Sequence, residues 1–259
     1  MRIPYFHVNA FTDRVFGGNP AGVCLLESWP EDILLQRIAA ENNLPETAFV
    51  APGGGNVALR WFSPLLEIDL CGHATLAAAF ILDATGNTPG GQLHFATRSG
   101  ILTVSKRNDL FIMDFPARPA TPAPLPETLV RGLGAVPGAV YKARDYLCVF
   151  DSEDQVAALT PDFSALAELD CLGVIATAAG REVDFVSRFF APRAGIPEDP
   201  VTGSSHCTLI PYWAERTGRD RFSARQISPR GGVLHCAHHG ARVHIGGKAV
   251  LYHSATLTL

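Results

Sequence analysis

From residue 74 to residue 83 the chain carries small or hydrophobic side chains on nearly every side. A helix with that pattern is buried all round instead of lying on a surface. Alanine, the best helix former, dominates the run, and Gly86 stands where a left-handed C-terminal cap belongs. The residues before it, around Leu59 and Trp61, read as a strand, followed by a turn at Ser63-Pro64 and an acidic passage holding Glu67 and Asp69. Near the start the pattern alternates, so that Ile3, Tyr5, His7, Asn9 and Phe11 would share one face of a strand at 3–11. A glycine-rich turn at 16–22 leads to a strand at 23–26; it lacks the spacing of a phosphate-binding loop. Pro30 opens a helix whose period is carried by Ile33, Leu34, Arg37, Ile38 and Ala39, and Leu44-Pro45 breaks it. A strand starts at Glu46, and Pro52 to Asn56 reads as a hairpin connection. After the central helix comes a connection at 87–91, then strands at 92–98, 102–106 and 110–115.

Five prolines between Pro116 and Pro126 form the clearest shift in composition. They divide the chain into an N-terminal half, residues 1–117 joined by the last strand at about 250–259, and a C-terminal half, 118–249. The second half shows a short helix near 127–133, a strand at 144–150, a helix at 152–159 and strands near 172–176 and 182–189. A second long helix follows, then strands at 224–227, 232–235, 242–245 and 249–258 joined by glycine turns.

The two halves echo each other. Arg60-Trp61-Phe62-Ser63-Pro64 recurs as Arg188-Phe189-Phe190-Ala191-Pro192, Asp69 as Asp199, Cys71-Gly72 as Thr202-Gly203, and Thr85-Gly86 as Thr217-Gly218. Four landmarks in one order, separated by about half the chain, point to duplication. Two copies are too few for a solenoid, so the pattern implies two similar α/β halves. In each, a helix N-terminus beginning with glycine offers backbone N–H groups and a partial positive charge to an anion.

Composition narrows the function. Hydrophobic residues make up 47% of the 259 and charged ones 18%, enough to bury substantial cores. The net charge of −4, with no basic run, argues against nucleic acid. No apolar run is long enough to span a membrane, and the N-terminus lacks a signal-peptide core. The chain is therefore expected to be cytoplasmic, with its six scattered cysteines as free thiols. His235, Cys236, His238 and His239 lie close in sequence, but neighbouring strand residues point to opposite faces and the spacing suits a hairpin tip, so no metal site is expected. Glu46 has two readings: a solvated carboxylate, or a general acid/base at the edge of an apolar wall.

Longer motifs join these features. His7 to Thr12, Gly17 to Val23, Leu44-x-Glu46-Thr47-Ala48-Phe49, Cys71-Gly72-His73-Ala74-Thr75 and Glu198 to Ser204 resemble the phenazine-biosynthesis PhzF-like proteins, over nearly the whole chain. The resemblance implies the α+β diaminopimelate-epimerase fold: two pseudo-symmetric halves, each a curved, mostly antiparallel sheet around a central helix, with the active site in the cleft between them. It implies a cofactor-independent isomerase, without metal, acting on a small carboxylate-bearing substrate, and a homodimer. Carried over by residue, it places the acid/base carboxylate at Glu46. It assigns proton transfer and substrate orientation to His73 and Asp199, and the lining of the site to Gly72, Gly203 and Ser204. Cys71 aligns with one of two facing thiols of the related epimerases. Its repeat counterpart is Thr202, whose hydroxyl is far too weak an acid to replace a thiol. Pro45 stands where the family often has serine. Two rivals accompany the isomerase: an amino-acid epimerase using Cys71, and a non-catalytic protein that binds a metabolite or another protein.

Overall fold

A computed structural model describes residues 1–53, 56–86 and 91–259. The tip of the hairpin expected at 52–56, Gly54 and Gly55, and most of the connection expected at 87–91 lie outside the described residues. The chain is α+β and divides into two compact units, residues 1–114 with 246–259, and 115–245.

The first unit contains β1 (Arg2–Ala10), β2 (Asn19–Leu25), α1 (Asp32–Asn42), β3 (Glu46–Gly53), β4 (Asn56–Phe62), β5 (Glu67–Ile68), α2 (Gly72–Ala84), β6 (Gln92–Thr97), β7 (Gly100–Arg107) and β8 (Leu110–Pro116), the last crossing the unit boundary by two residues. It also takes the C-terminal strand Ala249–Thr258. That strand pairs antiparallel with β1, and β1 pairs antiparallel with β2. β2 and β3 are parallel, β3 and β4 antiparallel, β4 and β6 parallel, β6 and β7 antiparallel. The parallel pairs follow from the crossovers: α1 lies between β2 and β3, and α2 between β4 and β6.

α2 is the core of this unit. Residues 73–79, Ile81 and Leu82 are all buried, as the unbroken apolar run requires. Gly247 lets this core close, because a Cβ there would sit 2.4 Å from the Phe11 ring and 3.1 Å from Leu76. The expected single face of strand 3–11 does not persist. A bulge between His7 and Val8 shifts the register against the C-terminal strand, and Val8, Asn9 and Ala10 are all buried. Phe11, with φ of 63°, ends the strand. α1 begins later than Pro30 suggested, with Glu31 as its extended N-cap residue.

The second unit contains β9 (Thr121–Pro122), α3 (Glu127–Leu133), β10 (Ala139–Lys142), β11 (Tyr146–Val149), α4 (Glu153–Ala157), α5 (Phe163–Ala167), β12 (Val174–Ala179), β13 (Phe185–Phe190), α6 (Gly203–Thr217), β14 (Arg221–Gln226), β15 (Gly232–His239) and most of β16 (Arg242–Gly247). The strand expected at 144–150 is shorter and belongs to a hairpin with β10, which sequence periodicity missed. The hairpin turns at Arg144-Asp145, where the guanidinium grips the fully buried Asp145 carboxylate at 2.7 Å. The helix expected at 152–159 is α4, with Ser152 accepting from the Gln155 N–H as its cap, and a second short helix, α5, which was not expected, follows it. Pro161 separates them, and Asp162 caps the second by accepting from the Ser164 and Ala165 N–H groups. His239 ends β15 at Gly240, whose φ of 65° makes the expected turn.

The ladder of this unit repeats the first. β9 and β10 are antiparallel, β10 and β11 antiparallel, β11 and β12 parallel, β12 and β13 antiparallel, β13 and β14 parallel, β14 and β15 antiparallel. β17, the C-terminal strand of the first unit, therefore stands to β1 as β9 stands to β10. Among the described residues no helix is long and apolar enough to cross a membrane.

Candidate active site

In the first unit three elements converge. Gly18, at φ of 65°, turns the chain into β2; a side chain there would come within 2.2 Å of the Ala10 carbonyl oxygen, so glycine alone fits. Asn19 then opens β2, and Glu46 opens the parallel strand β3, where its register partner is Ala21. Cys71 is the N-cap residue of α2, extended at φ of −136°, and Gly72 and His73 form the first turn.

These placements bring four polar side chains together in a buried environment. His73 Nε2 lies 3.0 Å from Glu46 Oε2. Its Nδ1 lies 3.1 Å from Asn19 Nδ2 and 3.5 Å from Cys71 Sγ. Glu46 is only 6% exposed, so the solvated reading of this carboxylate is overturned; the parallel pairing of β3 with β2 carries it inward. The His73 contact is close without being well aligned, and Oε2 makes no linear hydrogen bond to any described residue. Sequence reasoning missed Asn19; its signal was a polar residue between a glycine pair and a proline.

Burial favours a neutral imidazole at His73, but its interactions with Cys71 and Glu46 outweigh burial and raise the ring well above 6.5. The Cys71 thiol is itself pushed up to about 11 by burial, with the Glu46 charge acting in the same direction. It is therefore a neutral thiol near pH 7. An imidazolium donates from both nitrogens, so in that state Asn19 presents its carboxamide oxygen to Nδ1.

At the corresponding place in the second unit, Thr202 is the N-cap residue of α6, extended at φ of −113°, and Gly203 and Ser204 form the first turn. Thr202 Oγ1 donates to Asp199 Oδ2 at 2.5 Å, and Gln226 spans the corner, accepting from Thr202 N–H at 2.9 Å and donating to the Asp199 carbonyl at 2.7 Å. Ser204 Oγ accepts from Arg144 Nη2 at 3.2 Å. His206, one turn into the helix, donates from Nδ1 to the Thr202 carbonyl at 2.8 Å, and burial lowers its pKa to about 4. Asp69, the expected counterpart of Asp199, is exposed.

The repeated arginines explain why the two corners have the same backbone. Arg60 grips Glu67 through Nε and Nη2 at 2.7 and 2.8 Å; Arg188 grips Glu198 in the same way at 2.8 and 2.9 Å. Each guanidinium also lies over the ring two residues on, Phe62 at 5.2 Å and Phe190 at 4.9 Å. The strand before each helix is thus tied to the segment entering that helix.

The model of the PhzC-PhzF family, described as phenazine biosynthesis-like protein, matches residues 8–255. The chain is 51% identical to an uncharacterized isomerase of Pseudomonas aeruginosa over the full length of both. Among solved structures it is similar to a phenazine biosynthesis protein of the PhzF family from Enterococcus faecalis, at TM-score 0.98 and 48% identity with all of each chain covered. A probable proline racemase from Agrobacterium radiobacter, at 10% identity and TM-score 0.69 over 99% of this chain and 93% of that one, shares the fold alone.

Proposed function

The chain belongs to the PhzC-PhzF family of phenazine biosynthesis-like proteins, and on that premise we propose that it is a cofactor-independent isomerase that moves a proton on a small carboxylate-bearing carbon acid. The observation that carries this reading is the buried contact between Glu46 and a charged His73. Glu46 Oε2, lacking a linear donor, accepts the proton from a substrate C–H bond. The electron pair left behind spreads into the substrate as enolate-like charge. The His73 imidazolium and the positive end of α2 are assigned to stabilising that charge. Glu46 then returns the proton to a different carbon, so substrate and product differ only in where that hydrogen and one double bond sit. Gly72 and Cys71 would line the substrate, and Gly203 and Ser204 are assigned the same part in the second unit. Asp199, fixed through Thr202 and Gln226, is assigned to orienting the substrate.

Incubation with a panel of small amino and cyclic carboxylic acids in heavy water tests the reading. Wild type is expected to give deuterium uptake or a new isomer, and Glu46→Gln to lose that activity by about 100-fold or more. Full turnover by Glu46→Gln on the same substrate would overturn it.

One observation favours an epimerase as second reading: Cys71 Sγ is a proton carrier within 3.5 Å of His73. Its high pKa and the threonine opposite it in the repeat weigh against it. Stereochemical inversion that vanishes in Cys71→Ser would establish it over the first. The protein is further proposed to be a homodimer, and light scattering that returned the mass of one chain would refute this.

A further inference from the structure

Among the described residues, Glu46, Cys71 and His73 form a group in which three kinds of metal-binding atom converge. A carboxylate oxygen, an imidazole nitrogen and a sulfur all lie within 4.8 Å of one another, and all three residues are buried. The separations from His73 Nε2 are 3.0 Å to Glu46 Oε2 and 4.0 Å to Cys71 Sγ. In a tetrahedral zinc site with bonds of about 2.0–2.3 Å, neighbouring ligand atoms are about 3.3–3.8 Å apart. The Oε2–Nε2 and Sγ–Nε2 separations are thus each within about half an ångström of the required spacing, and because Sγ lies nearer to Nδ1, at 3.5 Å, the Cys71 side chain turns about its Cα–Cβ bond to reach an ion on Nε2. Glu46 Oε2 is buried and faces the His73 ring at 3.0 Å without a linear hydrogen bond, so loss of the ring proton turns both atoms into donors facing the same point. The Asn19 carboxamide at His73 Nδ1 supplies the outer partner that metal-bound histidines require.

We propose that Glu46, Cys71 and His73 form a three-ligand site for Zn2+, with the fourth position open to water, and that occupancy by zinc silences the cluster as a proton carrier. Binding forms Zn–O, Zn–N and Zn–S bonds. It releases to solvent the proton of the Cys71 thiol and, when His73 is charged, the proton on Nε2; no electron moves. The donor set selects zinc over magnesium or calcium, because thiolate and imidazole are poor ligands for hard cations. The other five cysteines, Cys24, Cys148, Cys171, Cys207 and Cys236, are free thiols outside this cluster.

The test uses the full chain, stripped with a chelator, titrated with Zn2+ against a chromogenic chelator and with Co2+ for its spectrum. No substrate is present, so the site and the isomerase reading can fail separately. Wild type is expected to take up one equivalent of zinc, and the cobalt form to show a thiolate-to-metal charge-transfer band with the strong visible bands of tetrahedral coordination. Cys71→Ser and His73→Gln should each weaken binding by at least about tenfold and Asn19→Ala by about tenfold. Cys24→Ala should bind as wild type does. The cobalt spectrum is read on the unmodified protein, so a variant that misfolds does not decide the matter. Absence of stoichiometric uptake, absence of the thiolate band, or unchanged affinity in folded Cys71→Ser would each overturn the site.

Discussion

The first turns of α2 and α6 are one backbone design furnished in two ways. Both begin with glycine after an extended N-cap residue, Cys71 or Thr202, and neither of those side chains caps its own helix. Both helices also close alike, with a threonine hydroxyl donating four residues back, from Thr85 to Ile81 and from Thr217 to Trp213, before a glycine at positive φ. At α2 the side chains are a thiol, an imidazole and a carboxylate, groups that exchange protons, and His73 is held charged by its neighbours. At α6 they are a hydroxyl, a carboxamide and a carboxylate bound into a closed set of hydrogen bonds, and His206 is held neutral. The difference teaches that the fold demands the corner and the chemistry selects its furniture. The repeated corner keeps its geometry while one copy carries titratable groups and the other carries groups fixed by hydrogen bonds.

The largest expected effect breaks the shared geometry. Arg188→Ala removes a bidentate partner of Glu198 and leaves carbonyls such as Leu159, which accepts from Nη1 at 2.8 Å, without their donor. It should destabilise the protein by about 4 kcal/mol in urea unfolding, the cost of splitting a largely buried pair. Arg60→Ala, whose counterpart pair is more exposed and which ties no such carbonyls in its grip on Glu67, should cost only about 2 kcal/mol. Equal losses would show that the two clasps are energetically alike.

Next comes pH, where the two histidines act in opposite senses. The folded pKa of His206, about 4, lies below its ordinary 6.5. The unfolded chain therefore takes up a proton first on acidification, and up to roughly 3 kcal/mol of stability is lost as pH falls from about 6.5 to about 4. His73 is raised above 6.5. Its contribution is complete below that value and is lost as pH rises from there through its folded pKa. Unfolding midpoints of wild type, His206→Gln and His73→Gln across about pH 4 to 8 separate the two. His206→Gln should flatten the acid limb and His73→Gln the limb above 6.5; a wild-type acid limb retained in His206→Gln would remove that histidine as its cause.

A smaller effect probes the closed network. Gln226→Ala strips partners from Thr202 N–H and the Asp199 carbonyl, both in buried surroundings, and should cost about 2 kcal/mol. The smallest sharpens the comparison itself. Cys71→Thr places the residue of one corner in the other, and because neither side chain caps its helix it should change stability by about 1 kcal/mol or less. A large loss would mean that the sulfur is needed for folding.

The amino-acid pattern by itself determined a great deal. The run at 74–83 specifies a helix buried on nearly every side because almost all of its side chains are apolar, and the short helix near 127–133 was legible at Glu127–Leu133. The landmarks of the repeat were equally legible, down to the pairing of Cys71-Gly72 with Thr202-Gly203 at two helix starts. These features are local, and local propensity is written along the chain. What only the tertiary structure decided is how segments distant in sequence share one environment. Glu46 read from its own surroundings is an ordinary surface carboxylate; it is buried because β3 runs parallel to β2, a pairing imposed by the α1 crossover. Asn19 joins His73 across 54 positions, and Gln226 joins Thr202 across 24. The partners of the repeated arginines, Glu67 and Glu198, were likewise invisible as partners. Periodicity records which face of an element is apolar, but a proton's affinity for a side chain depends on what lies within a few ångströms of it, and that is settled only when the sheets and crossovers have formed.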